Sequence, residues 1–248
     1  MENLEIKMNK KTKILLAISI SFIAFLSYFA LSNLTLDSNS NYEIKGIDIS
    51  NSYSGDLNWA ALNQNKGFVV LRAVRAFDTC KIKGEKGYIS LIDKNFEKNW
   101  NTLENKNIVR GAYHFFAPDI SAEIQFNTYK KAVKLKKGDL PPILDVENRN
   151  CDMNEALKWL KLAKEYYKVD PILYSEYFFF KIYLKKKNES YPLWLYFNES
   201  FMLRPSFKDP DCLFWQYKQD KKIPNFQEKI DFNVFLGDSS DFNRILIK

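Results

Sequence analysis

Residues 141–148 read Pro-Pro-Ile-Leu-Asp-Val-Glu-Asn, and this stretch decides the fold. Two prolines rule out a helix interior, and the apolar residues that follow them describe a buried strand rather than a solvated loop. Successive side chains of a strand point to opposite faces, so Asp145 and Glu147 share one face and Val146 takes the other. A buried strand closing on two acids is what a parallel barrel places at its site, which lies at the C-terminal ends of the strands.

Similar apolar, β-rich runs recur on both sides of this one. The pattern predicts strands at Ile44–Ile49, Phe68–Val74, Ile108–Phe116, Pro142–Glu147, Pro171–Tyr174, Leu193–Phe197, Cys212–Tyr217 and Ile230–Phe235. Between the earlier ones, apolar residues spaced three and four apart predict helices over Lys94–Asn105, Ala122–Leu135 and Asn154–Tyr167. Later connections are broken by Pro192, Pro205, Pro210 and Pro224. The expected fold is an α/β, irregular (β/α) barrel, β/α in the first half and mostly β in the second. An open doubly wound sheet is the alternative, but the chain has no Gly-rich turn of the G-x-G-x-x-G or G-x-x-x-x-G-K kind to hold a nucleotide.

Polar residues that close these strands are the candidates for chemistry. Asp48 stands near the end of the first, Tyr113 and His114 near the end of the third, Asp145 and Glu147 at the end of the fourth, and Asp231 and Asn233 in the last. Paired carboxyls suit glycoside cleavage. One must stay protonated to donate to the leaving oxygen, which burial and a neighbouring like charge favour; the other must stabilise the cation that develops at the anomeric carbon. Trp215, Gln216 and Tyr217 close the seventh strand, where an aromatic pair would suit sugar stacking; the competing reading makes Trp215 or Tyr217 core and leaves the other exposed. His114, between Tyr113 and Phe115, reads as a core histidine with its hydrogen bonds satisfied.

Composition narrows the class further. With 46% hydrophobic and 16% aromatic residues the 248-residue chain can bury a large core, which excludes a disordered protein. One histidine and three dispersed cysteines, Cys80, Cys151 and Cys212, supply neither C-x-x-C nor H-E-x-x-H, so neither metal nor cofactor is expected. The net charge of +7 comes from scattered basic residues, which suits an anionic surface better than nucleic acid. A groove that admits a polymer suggests a monomer.

The N-terminus predicts the compartment. Residues 14–36 carry no charge and follow Lys7, Lys10, Lys11 and Lys13, the arrangement of an export or anchoring segment with its basic end inside. The apolar core from Ile14 to Leu31 spans 18 residues, so an uncleaved membrane anchor is expected ahead of a signal cleaved near Ala30-Leu31-Ser32. Residues 1–40 are read as leader and linker, and residues 41–248 as the barrel domain, outside the cytoplasm either way. There two cysteines could pair, in a combination the sequence does not fix.

Six segments, in order, resemble the family 25 glycoside hydrolases, the muramidases of bacterial cell walls: GIDIS at 46–50, GFVVLRA at 67–73, NIVRGAYHFF at 107–116, GDLPPILDVE at 138–147, LFWQY at 213–217 and IDFNVF at 230–235. The resemblance implies an irregular barrel that hydrolyses the β-1,4 bond between N-acetylmuramic acid and N-acetylglucosamine in peptidoglycan. It implies Glu147 as proton donor, Asp145 as its partner carboxylate, Asp48 and Asp231 as acids of the same groove, and Tyr113 as an aromatic near the cleavage point. Retention assisted by the substrate's N-acetyl group and inversion through an activated water are both compatible with it. One stretch departs from the family pattern: where K-A-T-E-G is common, this chain has Arg72-Ala73-Val74-Arg75-Ala76, followed by an apparent insertion from Phe77 to Tyr88. An inactive, membrane-tethered glycan-binding protein and a different envelope hydrolase are the competing readings.

Overall fold

A computed structural model describes residues 11, 19–22, 42–49, 67–78, 88–106, 108–117, 120–147, 152–188, 191–199, 211–222 and 229–248. The chain divides into two compact units, Met1–Asn41 and Tyr42–Lys248. In the first, residues 19–22 are helical, and the rest of the uncharged run at 14–36 lies outside the described residues. Among the described residues no helix is long and apolar enough to cross a membrane.

Among the described residues the second unit has nine strands: β1 (Lys45–Ile49), β2 (Phe68–Asp78), β3 (Tyr88–Ile92), β4 (Val109–Phe115), β5 (Ile143–Asp145), β6 (Ile172–Glu176), β7 (Leu193–Tyr196), β8 (Cys212–Lys222) and β9 (Lys229–Phe235). Eight of them close a barrel in the order β1-β2-β4-β5-β6-β7-β8-β9, with β9 returning to β1. Pairing is parallel from β1 round to β8 and antiparallel on both sides of β9. This is the expected irregular barrel.

Helices α1 (Phe96–Glu104), α2 (Ala122–Ala132) and α3 (Met153–Tyr167) fall where apolar spacing predicts them. In α3 the Asp152 side chain caps the first turn by accepting from the Asn154 N–H, and Lys168 ends the helix in the left-handed region. Its buried face, Ala156, Trp159, Leu160 and Ala163, repeats at three and four residues. Three elements depart from the sequence reading. The start and end of the apparent insertion at 77–88 are strand residues, because β2 runs on to Asp78 and pairs antiparallel with β3; Cys80 and residues 79–87 lie outside the described residues. A short helix α4 (Tyr177–Phe179) continues into a π-helical turn, Phe180–Leu184, and α5 (Ser239–Ile245) follows the last strand.

Strand alternation sorts the core into two layers. Ile47, Val69, Leu71, Ala112, Leu144 and Val146 face outward onto the helices. Phe68, Val70, Tyr113, Ile143, Tyr174, Trp194, Phe214 and Phe235 face inward. At one end of the barrel the Phe68 ring meets Trp194, Phe214 and Phe242, the last supplied by α5. Gly46 makes room for that ring: a Cβ there would stand 2.3 Å from Phe68 Cε2. His114 points the other way, into the outer layer, where it stacks on Trp159 at 5.6 Å and shares a 2.8 Å hydrogen bond with Gln125 Oε1. Burial lowers its pKa to about 4, so it stays neutral at physiological pH.

Candidate active site

The C-terminal ends of the parallel strands converge on a cavity of about 220 Å³. Its walls carry four carboxyl groups, Asp48, Asp145, Glu147 and Asp231, with Tyr113, Tyr174, Trp194 and Gln216 among them. Asp48 belongs to β1, Asp145 ends β5, and Asp231 faces Asp48 across the β1–β9 pairing. Glu147 lies just past the end of β5. Val146 between them packs outward, so the alternation expected from the sequence persists beyond the strand and turns both acids to the cavity.

An amide cradle fixes Asp48. Its Oδ2 accepts from Gln216 Nε2 and from Asn233 Nδ2, each at 2.8 Å. Gln216 also donates to Asp231 Oδ2 at 3.3 Å, and its Oε1 accepts from the Tyr174 hydroxyl at 2.5 Å and from Gln219 Nε2 at 3.1 Å. The Trp194 indole N–H donates to Asn233 Oδ1 at 3.1 Å, which fixes which way that amide faces. Asp231 is held from the other side by the Asp220 backbone N–H at 2.6 Å, where Asp220 adopts φ 57° in a bulged part of β8.

All four acids are harder to ionise than free carboxyls. Burial, then Asp231, pushes Asp48 up to about 8 against the pull of its two amide donors. Burial, then Glu147 and Asp48, raises Asp145 well above its ordinary value, while Arg72 opposes the shift. Burial raises Asp231 to about 6. Glu147 has an exposed side chain at the cavity's open end, yet loss of water around its carboxyl still raises it, with Tyr174 opposing. Asp145 is buried and its Oδ1 has no hydrogen-bond partner among the described residues. Among the described residues lining the cavity Arg72 is the sole cation, its Nε held by Asp93 at 2.9 Å. The arrangement offers a proton donor at an accessible edge and a buried carboxyl beside it, which is the requirement for acid-catalysed glycoside cleavage.

The model of the glycosyl hydrolases family 25 matches residues 47–226, nearly the whole barrel. The chain belongs to this family. It is therefore a glycoside hydrolase of the lysozyme type, a peptidoglycan hydrolase. A family 25 glycosyl hydrolase from Bacillus anthracis superposes with a TM-score of 0.67 at 29% identity, covering 84% of this chain and 95% of that one. The uncharacterized protein YegX of Escherichia coli K12 is 29% identical over 224 residues, 87% of this chain and 78% of that protein. Lysozyme M1 of Streptomyces globisporus is 23% identical over 216 residues, 79% of this chain and 69% of that protein.

In this family 25 hydrolase the cavity gathers Asp48, Tyr113, Asp145, Glu147, Gln216 and Asp231. It does not gather Trp215 and Tyr217. These alternate with Gln216 on β8 and so point out of the barrel, where both are buried against Phe197 and Val234, and the Trp215 indole N–H donates to the Phe197 carbonyl at 2.8 Å. Their assignment to sugar stacking is corrected: they pack the outer face. Tyr174, Trp194, Arg72 and Gln219 line the cavity without having been singled out from sequence. Parity puts Arg72 on the inward face, two residues from Val70, and Tyr174 two from inward-facing Ile172, but parity alone does not separate a site aromatic from a core one. Arg75, at the departure from the family pattern, is exposed, with its guanidinium 5.9 Å from the Phe115 ring centre.

Proposed function

We propose that this hydrolase is an N-acetylmuramidase that cleaves the β-1,4 bond between N-acetylmuramic acid and N-acetylglucosamine, with Glu147 as proton donor and Asp145 as the stabilising carboxylate. The observation that carries this reading is the placement of the two acids side by side at the barrel mouth, one reachable from solvent and one buried. Glu147, its pKa raised by desolvation, delivers its proton to the leaving oxygen. Asp145 acts as the carboxylate: the positive charge growing at the anomeric carbon favours its ionised form, as Arg72 does, and its negative charge lies where the transition state needs it. Asp48 and Asp231, tied together through Gln216, shape the acidic wall opposite. The uncharged run at 14–36 supports a site of action outside the cytoplasm, with the domain held at the membrane by that segment.

The test is digestion of purified peptidoglycan by the full chain beside its Glu147→Gln variant, with released fragments reduced and identified by mass spectrometry. New reducing ends at muramic acid from the wild type, and a rate at least about a hundredfold lower for a normally folded variant, are expected. Reducing ends at glucosamine, or undiminished release by the variant, would overturn the assignment.

A further inference from the structure

Beside the catalytic cavity the rim holds a second one of about 400 Å³. The two share Glu147 and Gln219, and the second is walled by Phe178, Ile182, Tyr183 and Tyr196. The chain builds this wall through local backbone chemistry. Glu176, the last residue of β6, accepts the Phe178 and Phe179 N–H groups on its two carboxylate oxygens at 3.1 and 2.9 Å, which starts α4. The following π turn, a form that is rare and frequent at functional sites, carries Ile182 and Tyr183 outward while Phe180 and Leu184 stay in the core. Phe178, Ile182 and Tyr183 are left 47%, 70% and 39% exposed, three large apolar side chains grouped where burial would be expected for each.

We infer that this platform is a glycan subsite, holding sugars of the strand beyond the one whose bond is cleaved, on the Glu147 side of the cavity. The inference rests on the muramidase reading for the identity of the strand. Continuity selects the occupant: a polymer lying across Glu147 must leave the catalytic cavity over one of its edges, and this edge shares two residues with it. The chemistry also fits, because a pyranose presents an apolar face and polar edges. Ring faces of Phe178 and Tyr183 meet the first, and the hydroxyl of Tyr196 and the Gln219 amide meet the second. Binding energy collected there is remote from the reacting bond and can be used to position it, so the enzyme favours long strands over short fragments.

The experiment compares kcat/KM on peptide-free glycan strands sorted by length for wild type, Tyr183→Ala and Tyr183→Phe, all as the full chain. The ratio of long-strand to shortest-fragment kcat/KM is expected to fall about tenfold in Tyr183→Ala, the equivalent of one lost stacking contact, and to be kept by Tyr183→Phe. A parallel titration of strands of each length against Glu147→Gln, with and without Tyr183→Ala, reads binding apart from turnover. Strands that bind with a length dependence lost on removing Tyr183, but are not cut by wild type, would leave the platform standing and remove the muramidase reading. A length ratio and affinity indifferent to Tyr183 would overturn the platform while leaving the muramidase reading intact. Loss of affinity for phosphatidylglycerol vesicles in place of strands would overturn it in favour of a membrane surface.

Discussion

The two ends of one barrel interior follow opposite rules. At the end closed by α5, Phe68, Phe214, Phe235 and Phe242 fill the space with rings at centroid distances of 5.1 to 6.4 Å. At the other, the same inward-facing positions carry Asp48, Asp145 and Asp231, each raised in pKa by burial. The last strand contributes to both, with Phe235 at one end and Asp231 at the other. Apolar packing thus fills one end of the interior, and the interior carboxyls, whose desolvation opposes folding, gather at the end that needs it for proton transfer.

Three changes sharpen this contrast, beginning with the largest. Phe68→Ala, which opens the apolar end, is expected to cost about 3–5 kcal/mol of unfolding free energy by denaturant titration, while the folded fraction keeps its dependence of rate on pH. A pH profile displaced by that substitution would show the two ends to be coupled. Asp48→Asn acts at the other end and in the opposite direction. Because the folded-state pKa of Asp48 is raised from 3.8 to about 8, its contribution to stability is fully present below pH 4 and lost as the pH rises through 8. The variant should therefore be more stable than wild type at pH 8, with the advantage vanishing near pH 4, and urea titrations at the two pH values would reveal it. Equal wild-type and variant stabilities at both would mean that Asp48 is not desolvated. The smallest effect belongs to Trp215→Phe on the outer face, expected to lose about 1 kcal/mol with its bond to Phe197 and to leave hydrolysis unchanged. A loss of rate greater than the loss of folded protein would return Trp215 to the site.

The acids were legible in the sequence because strand parity and a strand end are both local properties. PPILDVE announces a buried strand with two residues on one face, and the structure turns both to the cavity although the strand stops at Asp145. Trp215 and Tyr217 were misread for want of that same parity: flanking an inward Gln216, they had to point outward. Tyr174 and Trp194 were hidden because an aromatic on a strand looks alike whether it floors a site or fills a core. The β2–β3 hairpin falls in a stretch with no apolar alternation before Tyr88, and the π turn after β6 depends on a helix type with no propensity signature of its own.

Asp48 has consequences for when the protein becomes active. The amides that hold it, Gln216 and Asn233, lie 168 and 185 residues further along the chain, and the strand that brings Asn233 is the one that closes the barrel. A nascent chain that has already exposed Asp145 and Glu147 still lacks the opposite wall. Pairings of such long sequence separation form late and slowly, so lytic competence arrives with the last strand rather than accumulating as the chain emerges.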